Sequence, residues 1–230
     1  MGVKIETQSP RMITDMFDWS AVDSVFLDLD GTLLDLAYDN YIWLARIPEL
    51  YAEQNGLSIP EAQKALAPKF RQWAGKIEWY SIDFWDRELT LNVAQIHRDA
   101  AARIAWLPGA QRFLDSVRER GKRLVLMTNS HPVILEIKHE HTGVLDYFDA
   151  AFSSAQFAAP KEDQQFWRAA ALVEVHCPAR TLFCDDNRAV LSAAQQAGIG
   201  FVRAVRHADS SRPLLAHEEF AAIDAVVDLL

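Results

Sequence analysis

The chain has 230 residues, half of them hydrophobic, and a formal net charge of −9. This length fits one core domain carrying a smaller insertion, and the hydrophobic share supplies a sizeable core. The acidic balance argues against nucleic acid as a partner, which demands clustered Lys and Arg, but leaves anionic small molecules open because a metal inverts the local charge.

The start of the chain, Met1-Gly2-Val3-Lys4-Ile5-Glu6, has no apolar signal-peptide core and no Ser or Thr at position 6 for a myristoylation signal. No run approaches the length of a membrane span. A cytoplasmic protein with no membrane partner is expected. Cys177 and Cys184 form no CxxC pair and read as small core residues in a reducing compartment. Residues 1 to about 20 lack clean periodicity, and an irregular lead-in is expected there.

Residues 22–28 predict the first strand. The string Val25-Phe-Leu-Asp28-Leu-Asp30-Gly31-Thr32-Leu-Leu34 ends an apolar run in two carboxylates separated by one residue. In a strand, residues i and i+2 share a side. Asp28 and Asp30 therefore converge at the strand's carboxyl end, where open α/β sheets bind ligands. Close carboxylates repel unless a cation joins them or one holds a proton, and Gly31 permits a sharp turn beside them.

From Asp35 to about Ala105 the apolar residues recur at helical spacing, as in Tyr38-Ile42-Ala45 and Leu66-Phe70-Trp73, and five of the seven tryptophans occupy or bracket the stretch. Pro48, Gly56, Pro60, Pro68 and Gly75 punctuate it. A bundle of about four helices is expected here. Leu107-Pro108-Gly109 marks re-entry, followed by a helix to Arg120 and a buried strand over 123–128. Pro132 opens another helix, being suited to the first helical position. A short strand over 150–153, a helix over 164–175, a strand over 181–184, a helix over 188–197 and a strand over 200–203 follow, with a further helix in the tail after His207. Strands alternating with helices predict an α/β fold with a Rossmann-like parallel sheet covered on both faces. The core comprises 1–34 plus 107–230, and 35–106 form an inserted helical cap domain.

Four polar clusters each follow a predicted strand: Asp28/Asp30, Thr128/Asn129, Lys161 and Asp185/Asp186. Taken singly, each has a plainer reading: an Asp-Gly turn, an N-cap, a surface lysine, and a turn with a helix cap. Parallel strands present their carboxyl ends to one edge, so the four should meet there. Mg²⁺ prefers oxygen ligands and keeps several waters, so a few carboxylates suffice. Thr128 and amides near Asn129 can hold a phosphoryl group, and Lys161 balances the charge.

In this order and spacing, Asp28-Leu-Asp30-Gly31-Thr32, Thr128-Asn129, Lys161 and Asp185-Asp186 resemble the four motifs of the haloacid dehalogenase-like phosphohydrolases, over roughly residues 20–205. The segments Asp30–Trp43, Thr128–Pro132, Pro160–Gln164 and Thr181–Asp186 are more specifically similar to the bacterial GMP/IMP 5′-nucleotidases of that superfamily. The resemblance implies Asp28 as nucleophile forming an aspartyl-phosphate and Asp30 as general acid and base. It implies Mg²⁺ held by the Asp28 side chain, the Asp30 carbonyl and Asp185, with Asp186 close by. Thr128 and the Asn129 amide would bind the phosphoryl oxygens, and Gly31 and Thr32 would also bind the substrate. A small phosphate ester, a purine nucleoside monophosphate, is the implied substrate, with Asn40, Tyr41 and Trp43 as candidate contacts to its leaving group. Cap-core packing is the plainer reading of those aromatics.

The second aspartate of the first motif argues against a dehalogenase, which in the family lacks it. A sugar-phosphate phosphatase or a β-phosphoglucomutase-like phosphotransferase shares all four motifs. A non-enzymatic binding module would require a lost aspartate, and none is lost. One departure is visible: the superfamily often has proline after its motif-three lysine, whereas Glu162 follows Lys161.

Overall fold

A computed structural model describes residues 17–230. The strands are β1 (Ser24–Leu27), β2 (Arg123–Thr128), β3 (Ala150–Ser153), β4 (Thr181–Asp185), β5 (Phe201–Val205) and β6 (Ala222–Ile223). They form one sheet in the order β3-β2-β1-β4-β5-β6, with every pair parallel. β1 is buried at every position, as expected for a central parallel strand covered on both faces.

Between β1 and β2 the chain is helical: α1 (Ala37–Tyr41), α2 (Ile47–Asn55), α3 (Ile59–Trp73), α4 (Ile82–Leu89) and α5 (Val93–Asp99). Its two connections to the sheet lie side by side. The Asp35 amide donates to the Ala105 carbonyl at 2.9 Å and the Leu107 amide to the Leu33 carbonyl at 2.8 Å.

Pro60 suits the first turn of α3, but two other prolines expected to punctuate this region lie inside continuous helix. Pro68 is within α3. Pro48 is near the start of α2, which continues from α1 through a π-helical turn, Ile42–Arg46. Proline cannot donate to the carbonyl four residues back and its ring crowds that carbonyl; the wider turn before Pro48 gives the ring room without ending the helix.

The remaining helices are α6 (Ala110–Glu119), α7 (Pro132–Thr142), α8 (Ser154–Phe157), α9 (Gln164–Val173) and α10 (Arg188–Gln196). Alternate strand residues face opposite sides. Val25, Leu27, Leu124, Leu126 and Leu182 pack with α6, α7 and the helical segment, in one apolar cluster that also takes in Tyr38, Ile42 and Trp85. Phe26, Val125, Met127 and Phe183 pack on the other face against α9 and α10.

The helix expected after His207 is not formed. The Asp209 carboxylate instead accepts from the Ser211 amide and hydroxyl at 2.8 and 2.6 Å, Pro213 lacks an amide donor, and the apolar pair Ala222–Ile223 adds to the sheet edge. A 3₁₀ turn follows at Val226–Leu229. Cys184 is buried as expected; Cys177 is exposed, because it sits in the connection preceding β4. The irregular lead-in expected for residues 1 to about 20 falls mostly outside the described residues. Among the described residues, no helix is long and apolar enough to cross a membrane.

Candidate active site

The register of the sheet brings the polar clusters together. Leu27 is aligned with both Leu126 of β2 and Cys184 of β4, and the Asp28 amide extends the ladder to the Cys184 carbonyl at 3.0 Å. Asp28 therefore leaves β1 beside Asp185, with Thr128 ending the strand on its other side. Carboxylate oxygens of Asp28, Asp185 and Asp186 all lie within 4.8 Å of one another.

Gly31 lets this loop fold back. Its φ is +86°, and a Cβ there would stand 2.8 Å from Asp186 Cγ and Oδ2. Gly31 and Thr32 thus lie behind the acidic cluster and do not line the cavity. The Thr32 hydroxyl is buried with no hydrogen-bond partner among the described residues.

Lys161 is 2% exposed. Its ammonium donates to Asp185 Oδ2 at 2.7 Å and also to Asp28 Oδ1. Burial works against that charge, but the carboxylates of Asp185 and Asp28 outweigh it and hold Lys161 above the ordinary lysine value. One ammonium does not balance three carboxylates. Burial first, then the charges of Asp185 and Asp30, push Asp28 up to about 8 against the pull of Lys161. Burial, Asp185 and Asp28 hold Asp186 well above the usual carboxylate range. A cluster of hard oxygen donors with excess negative charge fits a divalent cation such as Mg²⁺.

Thr128 Oγ1 accepts from the Ser130 amide at 2.9 Å, which leaves its proton free to donate to an anion. The Asn129 side chain is a clasp: Oδ1 accepts from the Lys161 amide at 2.9 Å and Nδ2 donates to Glu162 Oε2 at 3.0 Å. Glu162, the departure from the motif, also accepts from the Tyr80 hydroxyl at 2.7 Å. Its carboxylate joins the helical segment to the loops that carry Asn129 and Lys161.

Over this edge lies a cavity of about 310 Å³, at the lower end of small-molecule sites. Asp28, Asp30, Thr128, Asn129, Lys161, Asp185 and Asp186 form its floor, and Asn40, Trp43, Trp79, Tyr80 and Trp85 of the helical segment contribute to its walls. Trp43 also packs in an aromatic cluster, 5.6 Å from Trp79 and from Trp85 between ring centroids. Asn40 Nδ2 donates to Asp209 Oδ2 at 2.6 Å. Tyr41 is outside the cavity, with the Arg103 guanidinium 3.9 Å above its ring.

Asp30 is set apart from the other carboxylates. Its Oδ1 accepts from Lys138 at 2.7 Å. Burial, opposed by Lys138 and reinforced by Asp39, raises Asp30 to about 6. Lys138 had no motif to mark it. Its signal was position: it follows Ile134 by one helical turn on the apolar face of α7, where a lysine is out of place.

The model of the haloacid dehalogenase-like hydrolases matches residues 22–198. The chain belongs to that family. This member is 38% identical over 192 residues to the GMP/IMP nucleotidase YrfG of Escherichia coli strain K12, covering 84% of this chain and 86% of that protein. In fold it is similar to a HAD phosphatase from Thermococcus onnurineus, with a TM-score of 0.75 at 19% identity over 90% of this chain and 96% of that one. A putative β-phosphoglucomutase from Thermotoga maritima gives 0.61 at 17% identity, with coverage of 90% and 96%. This haloacid dehalogenase-like hydrolase is a phosphohydrolase.

Proposed function

We propose that the protein is a Mg²⁺-dependent phosphatase that hydrolyses purine nucleoside 5′-monophosphates, GMP and IMP, through an aspartyl-phosphate. The observation that carries the reading is one cavity that presents Asp28, Asp30, Thr128 and Lys161 together. The 38% identity to a GMP/IMP nucleotidase supports the substrate.

Asp28 attacks phosphorus, forming a Cγ–O–P link as the bond to the leaving alcohol breaks. Asp30 gives that alcohol oxygen a proton, then takes one from the water that cleaves the link. Thr128 and the Asn129 amide hold the phosphoryl oxygens, and Lys161 balances charge between Asp28 and Asp185. The Asp28 and Asp185 side chains and the Asp30 carbonyl would hold Mg²⁺, with Asp186 beside them, and the ion would supply positive charge against the transferring phosphoryl group. Residues 35–106 act as a lid domain that excludes water and contacts the leaving group, through Asn40 and Trp43 in the cavity wall. Asp39 and Tyr80 are further polar groups on that wall.

The test is phosphate release from a panel of phosphate esters with Mg²⁺ and again with EDTA. GMP and IMP are expected to be preferred, and EDTA to stop turnover. Equal rates on sugar phosphates would defeat the substrate assignment. Wild-type kcat in Asp28→Asn would defeat the mechanism.

A further inference from the structure

We propose that Lys138 is a positioning residue for Asp30, aiming its carboxylate at the leaving group through an ammonium shared with Asp39. This rests on the reading of Asp30 as the proton donor. Lys138 is 1% exposed, lies on α7 among Ile134, Leu135 and Ile137, and does not line the cavity. A side chain there has no route to substrate, and an apolar residue would fill the space without the cost of burying a charge.

All three ammonium directions are used. Lys138 donates to Asp30 Oδ1 at 2.7 Å and to Asp39 Oδ1 and Oδ2 at 3.0 and 2.9 Å. Lys138 is the hydrogen-bond partner of the Asp30 side chain among the described residues, and it engages only Oδ1. Asp30 lines the cavity, so Oδ2 is the atom left to carry the proton. Asp39 fixes the other end of the bridge from α1, whose neighbouring Tyr38 ring lies 5.5 Å from the same ammonium. Anchoring one carboxylate oxygen fixes where the other can point. Proton donation needs hydrogen-bond reach of the oxygen that accepts it, and small misplacements of reacting groups cost rate steeply.

The step depends on the leaving group. As Asp28 bonds to phosphorus, the electron pair of the breaking P–O bond goes to the ester oxygen. An alkyl oxygen takes the Asp30 proton at that moment, whereas nitrophenolate departs without one. The experiment measures kcat/KM of the Mg²⁺-loaded enzyme on GMP and on p-nitrophenyl phosphate, for Lys138→Met and for Lys138→Met/Asp39→Asn. The double variant keeps the bridge's original net charge, so it tests the idea if the single variant fails to fold. Both variants are expected to lose about 10²-fold on GMP, and about tenfold less than that on the aryl ester.

Equal losses on the two esters, or GMP turnover restored in the double variant, would show a merely structural lysine and overturn the proposal. Unchanged turnover of GMP in either variant overturns it as well. Asp30→Asn separates the two levels. If it retains GMP hydrolysis, the acid–base reading itself fails. If it shows the ester-dependent loss while the Lys138 variants do not, only the role of Lys138 falls.

Discussion

The Tyr80 hydroxyl donates to Glu162 Oε1 at 2.7 Å, joining the helical segment to the loop that carries Lys161. Burial first, then the Glu162 carboxylate, raises the Tyr80 phenol, so it stays a neutral donor. The other Glu162 oxygen holds Asn129 at 3.0 Å. The residue that departs from the superfamily pattern therefore fastens the helical side of the cavity to its floor. Tyr80→Phe removes that fastening and nothing at the reacting atoms. A hydrogen bond to a charged group is worth about 1.5–3 kcal/mol. The variant is expected to raise KM for the nucleotide about tenfold or more while kcat changes little, as steady-state kinetics would show. A fall confined to kcat would contradict a fastening role.

Gly31→Ala is expected to damage both stability and the acidic cluster. Its φ of +86° suits glycine, and the new Cβ would stand 2.8 Å from the Asp186 carboxyl carbon. Left-handed backbone costs a residue other than glycine about 1–3 kcal/mol. Asp186 must also move. The check is a lower Tm together with weaker Mg²⁺ activation in a titration; an unchanged Mg²⁺ requirement would show that Asp186 takes no part in holding the ion.

Addition of Mg²⁺ should stabilise the fold, because it relieves three carboxylates that share one ammonium. At a hundredfold excess over its dissociation constant, a ligand specific to the folded state contributes about 2.7 kcal/mol. The expected rise in Tm should vanish in Asp185→Asn, whose wild-type carboxylate is 1% exposed and bound to Lys161. A Tm indifferent to Mg²⁺ in the wild-type chain would speak against the cluster as its site.

β1 to β5 were legible because each is a short apolar run closed by polar residues, and parallel pairing carries their ends to one edge; the two-residue β6 was not foreseen. Asp28, Thr128 and Asp185 needed only that rule to meet, whereas Lys161, expected directly after a strand, lies in the loop beyond β3 and the short helix α8. Thr32 and Tyr41 show its limit. Sequence order placed them near the cavity, but the turn at Gly31 tucks the Thr32 hydroxyl inside, and Arg103, distant in sequence, covers the Tyr41 ring. Lys138 was hidden for a related reason. Its partners Asp30 and Asp39 lie 108 and 99 residues away, and helical spacing marks a buried face without naming what a charge on it meets. The tail helix failed because side-chain capping at Asp209 and edge pairing at Ile223 outcompeted a weak periodicity.

Acid should expose a buried histidine behind the same bridge. His97, on α5, is 2% exposed, and the Tyr38 hydroxyl lies 2.9 Å from its Nδ1 and 3.0 Å from its carbonyl oxygen. Burial first, then the nearby Lys138 ammonium, lowers its pKa to about 3 against the weaker pull of Asp30. The unfolded chain takes up a proton on this residue below about 6.5, whereas the folded chain refuses it until about 3. Unfolding therefore binds a proton across that window. Stability is level above it and falls as the pH drops from about 6.5 to about 3, by up to about 1.4 kcal/mol per pH unit from this residue. His97→Asn keeps a polar side-chain group near the Nδ1 position and removes the titration. Denaturant unfolding between pH 7 and pH 4 should then show a shallower decline in the variant than in the wild type. Parallel curves would mean that His97 is already charged in the folded protein.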